Sequence, residues 1–167
     1  MMIKPQHRRV GFYPASARDY LEPLQMLKGW VDKMVFCDIK CSPRNSRELA
    51  ELRKTAMDND LPEPSFFLGD ALFAMESLRP VDLFFLRRDS DGEGGSELNL
   101  LGPDKLPMVL NLINLGGLLV TDAKNGRDWF ADFMVGKISC LQAGSKEIRL
   151  AEVQPWREHG LQAFNVL

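Results

Sequence analysis

The chain has 167 residues, a formal net charge of −2 and 45% hydrophobic side chains. That length suffices for a single domain, residues 1–167, with a core of its own, and the near-neutral charge excludes a surface basic throughout, so nucleic acid is not indicated. No apolar stretch reaches the roughly 18 to 20 residues that span a bilayer, and MMIKPQHRR is followed by no apolar run of the secretory kind.

Along the chain, short and continuously apolar runs alternate with segments of helical period. Runs near 9–13, 34–39, 65–69, 81–87 and 117–121 read as strands covered on both faces. After the first run, Ala17 to Gly29 sets Tyr20, Leu24 and Leu27 on one face; Pro23 fits a helix that starts near Leu21. Ser46 to Met57 lines up Leu49, Leu52 and Ala56, with Asn45 or Ser46 as cap. Ala71 to Leu78 gives a short third helix. Lys105 to Leu115 gives a fourth, with Pro107 in its first turn and Gly116 at its end. Beyond Asp122, NGRDWFADFMVG reads as a helix, and 147–153 and 161–167 as an antiparallel strand pair. Together these predict an α/β protein: a Rossmann-like, open, mainly parallel sheet with helices on both faces and a C-terminal antiparallel strand pair. Trp30, Trp129 and Trp156 are assigned to packing.

The chemistry-bearing residues are sparse. There is no P-loop, nucleophile elbow or HExxH sequence, and the first turn lacks GxGxxG. His7 and His159 lie near opposite ends. Cys37, Cys41 and Cys140 are odd in number and form no ligand cluster, which predicts a reducing, cytoplasmic setting and no metal. What recurs is an acid after successive strands: Asp38, Asp70, Asp89 and Asp122. Carboxyl ends of parallel strands converge on one crevice, where a carboxylate can accept from ribose hydroxyls or an exocyclic amine. The glycine-rich, charged stretch from Arg87 to Lys105 forms a loop beside that crevice, suited to close over an acceptor.

These residues together resemble the class I S-adenosylmethionine-dependent methyltransferases. FYPASARD, from Phe12 to Asp19, stands where that family has its glycine-rich loop, Asp38 where it has the ribose-binding acid, and Asp70 of GDAL beside the adenine. Arg88 and Asp89 stand where it often has substrate or catalytic residues. The resemblance implies S-adenosylmethionine as the cofactor, held by Tyr13, Ser16, Asp19, Asp38 and Asp70, with no catalytic residue or acceptor specified. Pro14, Ala15, Ser16 and Ala17 replace the glycines, and neither Phe12 nor Tyr13 supplies the acid that usually precedes them. Two readings follow. One is a small methyltransferase acting on an unspecified acceptor; the other is a catalytically inactive relative that binds a small molecule or a protein partner. Oligomeric state is not encoded in any of these features.

Overall fold

The computed structural model describes residues 7–38, 45–88, 98–122 and 140–167. Within them runs one eight-stranded sheet: β1 (Val10–Tyr13), β2 (Lys33–Asp38), β3 (Glu63–Leu68), β4 (Val81–Leu86), β5 (Ile113–Thr121), β6 (Cys140–Ala143), β7 (Lys146–Leu150) and β8 (Gln162–Val166). Their spatial order is β3-β2-β1-β4-β5-β8-β7-β6. The first five strands pair in parallel. The last three pair antiparallel, with β8 inserted between β5 and β7. After β3 the chain returns to lay β4 beside β1, so the topological switch point falls between β1 and β4. Ligands of open α/β sheets gather at such a point.

Four α-helices connect the parallel strands: α1 (Leu21–Met26), α2 (Ser46–Asp58), α3 (Ala71–Ser77) and α4 (Leu106–Leu112). Alternation along the strands feeds two cores. Phe12 and Phe84 pack with Ala74 and Met75 of α3 and Val109 and Leu110 of α4. Tyr13 and Phe85 pack on the opposite face with Leu24 of α1, Leu27 and Trp156. As anticipated, Asn45 caps α2 by accepting from the Glu48 N–H at 2.8 Å. Among the described residues, no helix is long and apolar enough to cross a membrane.

The sheet departs from the sequence expectation at its lower end. Helical period predicts a helix as far as Leu115, yet α4 stops at Leu112 and β5 begins at the next residue. Lys146 Nζ donates to the carbonyls of Leu110 (2.9 Å) and Ile113 (2.5 Å), satisfying groups that another helical turn would have used. Between Val81 and Leu83 the register of β4 against β5 slips. Residues 114–117 form the resulting bulge, and a Cβ on Gly117 would meet the Asp82 and Asn114 carbonyl oxygens at 2.8 Å. The four-residue β6 is a further addition. The predicted helix over 125–136, with Trp129, lies outside the described residues.

Asp82 ties this bulge to β1. Its carboxylate accepts from Val10 N–H at 2.8 Å and Asn114 Nδ2 at 3.0 Å, and lies 3.3 Å from His7 Nε2. Burial pushes the carboxyl group up, but these donors prevail and hold it below its ordinary value of 3.8. Its contribution to stability is therefore complete above the unfolded-state value and is lost as pH falls through the lower folded-state value. Asp82→Ala should cost about 1.5–3 kcal/mol at neutral pH. In urea melts repeated at decreasing pH, the gap between variant and wild type should close below about pH 4.

Candidate functional site

The loop after β1 turns tightly over the end of β2. Ser16 N–H donates to the Cys37 carbonyl at 2.9 Å, and its hydroxyl reaches the same oxygen at 3.3 Å. Ala17 N–H donates to Asp38 Oδ2 at 3.1 Å. To follow this path the backbone enters the left-handed region at Ala15 (φ 51°) and Ala17 (φ 49°), a conformation that glycine adopts without penalty and that costs an L-residue about 1–2 kcal/mol. The loop thus has glycine-like backbone at two positions without the glycines.

One buried cation links this loop to the end of β4. Arg87, the residue after β4, is 4% exposed. Its Nε and Nη2 donate to Asp19 Oδ2 and Oδ1, both at 2.7 Å, a two-pronged pairing of guanidinium with carboxylate. Nη2 also donates to Glu22 Oε2 at 2.7 Å. The Tyr13 hydroxyl donates in a shared bond to Asp19 Oδ2 and the Arg87 carbonyl, each at 2.9 Å. Burial alone would draw the guanidinium's pKa down, but the hydrogen bonds and charge of Asp19 and Glu22 raise it. Arg87's hydrogen bond in turn holds Glu22 below the usual carboxylate range. Burial, reinforced by Asp19, pushes the Tyr13 hydroxyl far above its usual range, so it stays protonated and serves as a donor. Arg88 extends the cluster. Its backbone is left-handed (φ 58°), its N–H donates to Asp122 Oδ2 at 2.9 Å, and its guanidinium reaches Glu22 at 3.1 Å.

Of the residues singled out in the sequence, Tyr13, Ser16, Asp19 and Asp38 lie around this one loop. Asp70 takes a separate local part: its Oδ1 caps α3, accepting from Leu72 N–H (2.8 Å) and Phe73 N–H (3.1 Å). The two acids still share a neighbour. Burial, followed by the charges of Asp38 and Asp70, pushes the Cys37 thiol up to about 12. That thiol donates to the Gly69 carbonyl at 3.4 Å, and at such a value it is a poor nucleophile. Among the described residues no group of three His, Cys, Asp or Glu side chains could hold a metal ion. Asp89, Cys41 and residues 89–97 of the proposed lid lie outside the described residues.

Sequence reasoning placed Arg87 at the start of the charged loop, whereas the structure buries it against two carboxylates, and it passed over Glu22. A signal existed: VDLFFL is apolar at all but one position, and an arginine directly after it needs a partner. The acids at positions 19 and 22 stand three apart, a spacing that brings two side chains to neighbouring positions on a turn of helix.

Two measurements test these energetics. Replacing Ala17 by Gly removes left-handed strain at the cost of a freer unfolded chain, so A17G should gain up to about 1 kcal/mol in chemical denaturation. Arg87→Met strands Asp19 with its charge partly buried and should cost about 3–5 kcal/mol. A cycle with Asp19→Asn should show strong coupling between the two positions.

No protein-family model and no curated protein matches the chain. Solved structures do match. An rRNA methylase from Streptococcus thermophilus aligns over 96% of this chain and 87% of its own, with a TM-score of 0.53 at 14% identity. A Streptococcus mutans protein in complex with SAH aligns over 96% and 90%, with a TM-score of 0.51 at 12% identity. A methyltransferase homolog from Pyrococcus horikoshii aligns over 95% and 61%, with a TM-score of 0.51 at 13% identity. At such identities the likeness is one of architecture alone: this chain shares with these proteins an open, mainly parallel α/β sheet flanked by helices and ending in antiparallel strands.

Proposed function

We propose that this chain is a non-catalytic representative of the methyltransferase fold, acting as a protein-interaction module. The observation that carries this reading is the buried two-pronged pairing of Arg87 with Asp19 at the switch point between β1 and β4. The amino-acid end of S-adenosylmethionine, entering over the first loop, would have to part that pair. Breaking a buried ion pair costs about 3–5 kcal/mol. A ligand that repays this loses about two orders of magnitude in affinity or more. Ser16 and Tyr13 are already committed to Cys37, Asp19 and Arg87, which leaves few groups to offset the loss.

A second reading has its own support. The left-handed alanines and the Ala17–Asp38 bond keep the shape of a cofactor loop. In this reading the chain is a small S-adenosylmethionine-dependent methyltransferase. Tyr13, Ser16, Asp19, Asp38 and Asp70 hold the cofactor, and Asp19 leaves Arg87 to take the ligand's ammonium group.

Calorimetry with S-adenosylmethionine and with S-adenosylhomocysteine separates the two. The interaction-module reading expects no saturable binding tighter than about 1 μM, or roughly −8.2 kcal/mol. Tighter binding, or methyl transfer by the purified chain, overturns it in favour of the enzyme.

A further inference from the structure

Away from the crevice, a cavity of about 440 Å³ opens where β5, β7 and β8 meet Trp30 and Trp156. Its floor is firm. Trp156 is 3% exposed, its Nε1–H donates to the Met26 carbonyl at 2.8 Å, and its ring lies 4.9 Å from that of Trp30. Its rim is apolar and open. Nine large apolar side chains are exposed among the described residues, and four of them, Trp30, Leu150, Val153 and Leu167, line this one cavity. Scattered apolar residues need no explanation, but a concentration at one concave place marks an association surface.

The charges at its border indicate the occupant. Arg149 and Glu152 both line the cavity. The Arg149 side chain is 58% exposed and pairs within its own strand with Glu147 at 2.8 Å. One cation and one anion beside an apolar centre make a patch complementary to itself under a two-fold rotation. That is the requirement for an isologous interface, whereas a border of one sign would repel its own copy. We infer that the occupant is a second copy of this chain. Two copies meet about a two-fold axis, the exposed Val153 and Leu167 side chains at the rim of each set into the cavity of the other, with Arg149 of each facing Glu152 of the other. The inference rests on the proposed role as an interaction module and names the partner class.

Sedimentation velocity from micromolar to submillimolar concentration tests this. The wild-type chain should pass from monomer to dimer, with tryptophan emission moving to shorter wavelength as Trp30 is covered. Val153→Asp and Leu150→Asp, at exposed positions where the fold tolerates polarity, should remain monomeric with unchanged circular dichroism. Arg149→Glu and Glu152→Arg should each weaken the dimer at least tenfold. Mixing those two single variants should restore it, because both cross-interface pairs re-form in the mixed dimer. A chain monomeric throughout overturns the proposal, as does a dimer insensitive to Val153→Asp and Leu150→Asp or one that mixing fails to rescue. Tight S-adenosylmethionine binding in the calorimetry above overturns the interaction-module reading, whatever the sedimentation result.

Discussion

A guanidinium buried at the end of a buried strand constrains much of this molecule. Leu86 is 1% exposed and Arg87 follows it directly, so the charge enters the interior with no water to solvate it. Two carboxylates meet it, and the ring of Phe85 lies 5.8 Å beneath. Meeting that demand fixes the surroundings. The first loop must bring Asp19 back over β4, and α1 must begin where Glu22 falls beside Asp19. The chain after Arg87 must turn away sharply, which it does through a left-handed Arg88 whose N–H is held by Asp122. Charge neutralisation thus ties the first loop, the entrance of α1 and the end of β4 together at the switch point.

The same demand accounts for the strained backbone. Left-handed alanines persist only where the surrounding contacts overdetermine the chain. Here Ser16 is tied to Cys37, Ala17 to Asp38 and Asp19 to Arg87 within four residues, so the loop has no relaxed alternative. Strain at such a place commonly belongs to ligand capture. In this chain it is balanced by intramolecular bonds already made, and a ligand would compete with them.

The parallel half of the sheet is legible in the sequence because burial on both faces writes continuous apolar runs, and the alternating helices carry clear 3.6-residue faces. Leu24, Leu27 and Ala56 all face inward as their spacing requires. Less legible is what depends on partners far along the chain. The early start of β5 hangs on Asp82 and Lys146, some thirty residues away on either side. The edge strand β6 is only four residues long and largely half-buried, so it writes little pattern. At the crevice, Asp38 and Asp19 are readable as acids at a strand end and a helix entrance. The pairing that decides what they do is not, because Arg87 stands 68 residues from Asp19. Asp70 illustrates the reverse case: an acid at a strand end also suits the helix that follows, and its bonds to Leu72 and Phe73 serve that helix.

Helix α1 joins the ion-pair cluster at the switch point to the open apolar cavity. Six residues are too few to hold a helix in water, so its position depends on what grips its ends. Glu22 in its first turn is gripped by Arg87 and Arg88. Met26 at its last turn is gripped through its carbonyl by the Trp156 indole, and its sulfur lies 3.5 Å from Arg87 Nη1. The ion pair and the tryptophan floor are therefore two ends of one clamp. Drawing Arg87 off Asp19 and Glu22 would release the entrance of α1 and loosen the helix whose carbonyl holds Trp156 in place. Parting the ion pair thus costs more than the pair alone, since it also loosens the tryptophan floor of the apolar cavity.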